Sequence, residues 1–341
     1  MKEGWRDAIR HVMTKIAING FGRIGRSILR MLLTSRADEG FELIAINDIA
    51  PLESCAYLFA YDSVFGPYPG DVHHEDGAII VDGRRIPFHS VADIREIDLA
   101  GVDVLLECTG AEGGRAEVER GLEAGAGSVL ISGPSDVADA TVVLGANEGD
   151  LGAHRIVSNA SCTTNALAPL LALLEAHWGV ESGHMTTVHC YTGSQPTVDK
   201  PKANLVRSRA AALSMVPTTT SAARLIGAVL PGLDGRIEAR AVRVPTASVS
   251  CIDLTVQTRK PVSVDAVNTV LEQAATDNPV FGWITLPLVS TDLRMRPESI
   301  VMSGRETSVS VGGLLRVFGW YDNEWGFSNR MLDVAGLMVA R

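Results

Sequence analysis

The chain of 341 residues is short of several things. It has five cysteines, an odd count, with no CxxC pair and no framework spacing. That excludes a disulfide scaffold and predicts free thiols in a reducing cytosol. No apolar run reaches membrane-spanning length, so no membrane partner is expected. The net charge is -10, which argues against a nucleic-acid partner. No internal repeat, low-complexity tract or metal-ligand cluster is visible, and no metal is expected. The first residues, MKEGWRDAIRHVMTK, are too polar for a secretory signal. Met13 is an alternative start, and residues 1–12 read as an extension without an assigned role.

What is present describes a globular protein, 46% hydrophobic and 21% charged, and long enough for two domains. The stretch Ser158-Asn159-Ala160-Ser161-Cys162-Thr163-Thr164-Asn165 organises the rest. An apolar segment precedes it, and an apolar helix with Pro169 inside follows. Cys162 therefore falls in the first turn of a helix, where unpaired N–H groups and the dipole lower a thiol's pKa. A free cysteine is otherwise a small buried apolar residue, and this environment alone leaves both readings open.

Lys15–Asn19 reads as a strand, Gly20-Phe21-Gly22-Arg23-Ile24-Gly25 as a turn, residues 26–33 as a helix and 41–46 as a second strand ending near Asp48. A glycine-rich turn between strand and helix, with an acid about 20 residues on, is a dinucleotide-binding pattern. Gly20 permits the turn, Gly22 lets a pyrophosphate approach, and Gly25 lets helix and strand pack. Asp48 accepts ribose hydroxyls and repels a 2′-phosphate, which predicts NAD over NADP. Further strands are expected at 78–81, 85–89, 102–108, 128–131 and 141–144. Thr109, Gly110, Ser132 and Gly133 end such strands and either line the cofactor or are ordinary turn residues.

In the second half, residues 184–191 alternate as a strand with Thr187, His189 and Tyr191 on one face. His189 is a candidate base for Cys162, or else a hydrogen-bonded core histidine. Residues 192–215 lack periodicity and carry Lys200, Lys202, Arg207 and Arg209. With the hydroxyl-rich stretch 217–221 before the next helix, they form a candidate anion site or a solvated loop. Strands are expected at 240–246, 249–257, 288–291, 299–302 and 309–320, and helices at 263–275 and 327–339. The fold class is α/β: a Rossmann-type dinucleotide-binding domain plus an α+β catalytic domain with a mixed or antiparallel sheet. The expected boundaries are 13–161, completed by 326–341, and 162–325.

The blocks INGFGRIGR (18–26), SNASCTTN (158–165), HCYTG (189–193), RAAALSMVPTTT (209–220), RVPT (243–246) and WYDNEWGFSNR (320–330) occur in that order. From Lys15 onward the chain resembles the phosphorylating glyceraldehyde-3-phosphate dehydrogenase family. The first two blocks are shared with the related erythrose-4-phosphate dehydrogenases. The resemblance implies NAD-dependent oxidation of a phosphorylated aldehyde with inorganic phosphate, in a cytoplasmic homotetramer. It implies Cys162 as nucleophile and His189 as base. Thr192 and Arg243 match the site for the substrate's phosphate. Ser161, Thr163, Arg207 and Thr220 match that for inorganic phosphate, with Arg209 close by. Asn323 matches the residue that orients the nicotinamide amide, while Arg23 and Ile24 match backbone contacts to the pyrophosphate.

Departures from the family pattern are Ser194 for Asp, Lys200 for an apolar residue, Lys202 for His, Ser221 for Gly and Phe327 for Tyr. Ser221 adds a side chain near the expected inorganic-phosphate site. A Lys200 side chain reaching a neighbour's adenosine ribose would relax the NAD preference, which leaves NADP tolerance open. The alternatives are an erythrose-4-phosphate dehydrogenase that hydrolyses its thioester, and a paralogue that binds NAD or senses redox state without turnover.

Overall fold

The computed structural model describes residues 13–110 and 113–341; the extension over 1–12 lies outside the described residues. The described residues form two compact units, one of residues 13–142, 149–160 and 328–341, the other of 143–148 and 161–327.

The sheet of the first unit contains β1 (Thr14–Asn19), β2 (Phe41–Asn47), β3 (Val72–Glu75), β4 (Ala78–Val81), β5 (Arg84–His89), β6 (Val104–Glu107), β7 (Ser128–Ile131), β8 (Ala140–Thr141) and β9 (Ile156–Ser158). Their order is β8-β9-β7-β6-β1-β2-β5-β4-β3. Neighbours from β8 to β5 run parallel, and β5, β4 and β3 are antiparallel. Val104, Leu105 and Leu106 are all buried, as are Ile16, Ala17 and Ile18. Burial of both alternating sets is what a sheet covered on both faces requires. From β1 the chain passes through α1 (Arg23–Leu33) to β2 on one side, and later reaches β6 on the other, with α2 (Leu52–Ala60) following β2 and α3 (Arg115–Glu123) following β6. The carboxyl ends of β1 and β6 thus flank the switch point where such sheets bind ligands. This is the expected Rossmann-type arrangement.

Residues 328–341 belong to this unit through a buried charge cluster. Asp333 lies 2.8 Å from Arg36 and 2.5 Å from Arg330, and Arg36 also donates to the Asn329 carbonyl. Opposite charges in contact offset the cost of removing each from water.

In the second unit, α4 (Cys162–Trp178) is followed by β10 (Val180–Cys190), β11 (Val216–Thr218), α5 (Ala222–Val229), β12 (Ile237–Val244), β13 (Ser250–Thr258), β14 (Phe281–Ile284), β15 (Ile300–Ser303), β16 (Ser308–Val309) and β17 (Leu315–Tyr321). The sheet order is β11-β12-β10-β13-β17-β15-β14, with β16 paired to β17. β10 is parallel to β12 and antiparallel to β13, so the sheet is mixed, as expected. α4 buries Leu167, Leu170, Leu171 and Leu174 completely and runs through Pro169.

Several expected strands change. Residues 288–291 do not pair; a short helical turn spans Ser290–Leu293, because the Asp292 carboxylate accepts the Val289 N–H at 2.9 Å. The strand expected over 141–144 stops at Thr141, since the Val143 N–H turns to the Asn147 side chain. The run 309–320 breaks at a turn where Gly313 takes φ +81°. β3 and β14 are strands that the sequence pattern did not announce.

Candidate active site

Ser158 ends β9, and Ala160 turns the chain at φ 55°, a left-handed conformation disfavoured for alanine. α4 then starts at Cys162, with Ser161 as its cap. The Ser161 hydroxyl accepts the Thr164 N–H at 3.1 Å and pairs with the Thr164 hydroxyl at 2.7 Å. No acidic residue occupies the first turn, so nothing there competes with an anion.

β10 delivers His189. Thr187 and His189 share a buried face, as the alternation predicted. His189 Nε2 stands 3.5 Å from Cys162 Sγ. Its Nδ1 lies 2.7 Å from the Cys190 carbonyl and 2.8 Å from Arg243 Nη1. The strand register explains the arginine, because Arg243 on β12 is the direct partner of His189 on β10. Two tautomers fit. A proton on Nδ1 donates to the Cys190 carbonyl and leaves an Nε2 lone pair for the thiol. A proton on Nε2 faces the sulfur and stabilises a thiolate, while Nδ1 accepts from Arg243. The pair can therefore pass a proton.

Burial, and then the Arg243 guanidinium, hold the His189 imidazole well below its ordinary value, so it is neutral near neutral pH. Burial also pushes the Cys162 thiol up, while Arg243 and the N–H and hydroxyl groups at Thr163 pull it down. This corrects the expectation that the helix terminus simply lowers the thiol pKa. Desolvation opposes the dipole, and ionisation depends on the partners nearby.

Two positions that matter for this geometry were missed in the sequence. The Tyr321 hydroxyl meets the Thr163 hydroxyl at 2.9 Å and the Thr187 hydroxyl at 2.8 Å, and its ring stands edge-on to His189. It ties the first turn of α4 to β10. The available signal was its place in the buried alternate set of Leu315–Tyr321, where a polar-tipped aromatic needs partners. The other is Ser250, directly opposite Tyr321 in the β13–β17 pairing, which accepts the Cys190 N–H at 3.1 Å.

The anion-site candidates fall into separate contacts. Thr192 pairs with Ser194 at 2.9 Å, and Lys202 donates to the Ser194 carbonyl. Arg207 donates to the Thr218 hydroxyl at 2.8 Å and to the Thr219 carbonyl at 3.2 Å. Thr220 receives the Ala222 N–H at 3.3 Å. Ser221 precedes α5 without capping it through its side chain. Arg209 is exposed and pairs with Asp199 at 2.9 Å.

In the first unit, Gly20 takes φ +95°, and a Cβ there would sit 2.5 Å from the Thr109 nitrogen. A Cβ on Gly25 would sit 2.3 Å from the Gly20 carbonyl oxygen, so helix and turn touch. A Cβ on Gly22 would meet nothing within 4 Å, and no side chain caps α1. Open space before uncapped N–H groups suits a pyrophosphate. Asp48 accepts the Phe21 N–H at 2.6 Å and the Ala50 N–H at 2.8 Å, so it also braces the turn. Arg23 pairs with Asp62 and lies over the Phe65 ring, and Ile24 follows it in the first turn of α1. The Ser132 N–H donates to the Glu107 carbonyl at 2.9 Å. Among the described residues no cluster of His, Cys, Asp and Glu could hold a metal, and no helix is long and apolar enough to cross a membrane.

Comparison with known proteins agrees with both units. The family model for the NAD binding domain of glyceraldehyde 3-phosphate dehydrogenase matches residues 14–114, and that for its C-terminal domain matches 161–323. The chain is 48% identical over 329 residues to glyceraldehyde-3-phosphate dehydrogenase of Pseudomonas aeruginosa, covering 96% of this chain and 98% of that protein. It is 46% identical to the proteins of that name from Xanthobacter flavus and Zymomonas mobilis, in each case over 95% of this chain and 98% of theirs.

Proposed function

The chain belongs to the glyceraldehyde-3-phosphate dehydrogenase family, and from that premise we propose that it oxidises glyceraldehyde 3-phosphate with inorganic phosphate to 1,3-bisphosphoglycerate. The observation that carries this reading is Cys162 Sγ at the start of α4, 3.5 Å from a neutral His189 Nε2. The glycine turn and the uncapped start of α1 fit a dinucleotide, which when bound supplies the hydride acceptor.

In this mechanism Cys162 is the nucleophile and His189 the base. His189 Nε2 takes the thiol proton, the sulfur attacks the aldehyde carbon, and the imidazolium returns that proton to the former carbonyl oxygen, giving the hemithioacetal hydroxyl and a neutral His189. His189 then takes the hydroxyl proton as the carbon is oxidised to the thioester. The Cys162 N–H and protonated His189 stabilise the oxyanion. Inorganic phosphate attacks the thioester, releasing the acyl phosphate and restoring the thiolate. Thr192 and Arg243 hold the substrate's phosphate. Ser161, Thr163, Arg207, Thr220 and Ser221 receive the attacking phosphate, with Arg209 nearby.

We assign 13–161 and 326–341 to the dinucleotide domain and 162–325 to the catalytic domain. NAD is the preferred cofactor, supported by the Asp48 carboxylate beside the glycine turn. The assembly is a homotetramer, supported by the exposed apolar side chains Val198, Leu205, Leu213 and Met215 on one loop. A reduced thiol nucleophile suits the cytoplasm.

The test is NAD⁺ reduction with glyceraldehyde 3-phosphate, with and without inorganic phosphate, beside erythrose 4-phosphate. Strong phosphate-dependent turnover of the triose is expected. Phosphate-independent oxidation of the tetrose would replace this reading with thioester hydrolysis.

A further inference from the structure

The thiol next to His189 has a use that the mechanism leaves open. Cys190 is 1% exposed and points away from the face that carries His189. Its Sγ lies 3.0 Å from Asn323 Oδ1. Ser250 Oγ lies 3.4 Å from the same oxygen and accepts the Cys190 N–H at 3.1 Å. Since the Ser250 oxygen already accepts a backbone proton, its own hydroxyl proton is available to Asn323. Two donors therefore converge on one amide oxygen. Asn323 itself is 7% exposed, in the short segment between β17 and the last helix.

We propose that Cys190 is a positioning residue. With Ser250, its S–H fixes the Asn323 amide so that the amide nitrogen is the group offered to a nicotinamide carboxamide. The inference rests on the proposed assignment of Asn323 to that carboxamide. A terminal amide has a broad, roughly two-fold torsion and two chemically opposite ends. Left alone, it would present an acceptor as readily as a donor. Donors on its oxygen remove that choice before the ligand arrives. Burial supports the role by pushing the Cys190 thiol up to about 12, so that it keeps its proton throughout the neutral range.

The experiment measures dissociation constants of the full chain for NAD⁺ and for ADP-ribose, which lacks the nicotinamide. Cys190→Ala is expected to weaken NAD⁺ about fivefold, the worth of one neutral hydrogen bond, and to leave ADP-ribose unchanged. Cys190→Ser, which keeps a donor, is expected to restore NAD⁺ binding. Should the alanine variant fail to fold, Cys190→Val gives the same comparison with an apolar side chain of similar size. Equal weakening of both ligands, unchanged NAD⁺ binding, or failure of serine to restore it overturns the proposal. Asn323→Ala separates the two layers. If it weakens NAD⁺ while Cys190→Ala does not, only the role of Cys190 falls. If it leaves NAD⁺ unchanged, the assignment of Asn323 falls, and this proposal with it.

Discussion

Cys162 and Cys190 share one unit of the protein and differ in almost everything that decides thiol chemistry. Cys162 begins a helix, keeps intermediate solvent exposure and has an imidazole at 3.5 Å. Cys190 ends a strand, is sealed from solvent and meets an amide oxygen. Burial raises both thiols, so the direction of that shift does not separate them. What separates them is access and the neighbour. A base can remove a proton that an amide can only hold.

Five measurements break or sharpen this contrast. The largest effect is expected for Cys162→Ser, which should lose turnover altogether while binding NAD⁺ normally; substantial residual oxidation would sink the covalent mechanism. His189→Asn should cost about 10²–10⁴-fold in turnover, the usual worth of a general base. Iodoacetamide on the native chain should alkylate Cys162 and spare Cys190. In His189→Asn the pH of half-maximal alkylation should move upward, because the thiol has lost its proton acceptor. An unmoved midpoint would detach His189 from the thiol.

The fourth measurement concerns acid. His189 is held below its ordinary value in the folded chain, so its neutral form contributes stability that is full above about pH 6.5. That contribution is lost as pH falls from there toward the depressed folded value. Denaturation midpoints between pH 7.5 and 5 should therefore fall more steeply for the native chain than for His189→Asn, and parallel slopes would contradict this. The smallest effect is at the cap. Ser161→Ala should destabilise by about 1 kcal/mol, read from urea unfolding, and should loosen the first turn that presents Cys162.

Much of this was legible in the sequence because it is local. The glycine turn, the capped start of α4 and the alternation in β10 each lie within about ten residues, and their periods and small residues declare them. The contacts that complete the site are not local. Tyr321 reaches residues 158 and 134 positions away in the chain, and only strand pairing brings it there. Ser250 was hidden in the same way. The strand at Phe281–Ile284 carries a glycine and only four residues, too little for a pattern. The apolar segment after it was read as strand in its place, but one aspartate side chain curls it into a turn.

The register of β10 on β12 has a consequence for how this protein can change. His189 and Arg243 face each other because two adjacent parallel strands are locked in step. The whole connection between those strands, including the irregular loop over 192–215 and α5, leaves that pairing and later returns to it. Exchanges within the loop that leave the pairing of Val216 with Arg243 in place are expected to keep the imidazole and the guanidinium in step. Outside the phosphate-site residues Thr192, Arg207 and Arg209 and its exposed apolar side chains, the loop is thus a variable span on a fixed dock. Diversity in what the protein accepts can accumulate there while the proton-transfer geometry is inherited unchanged.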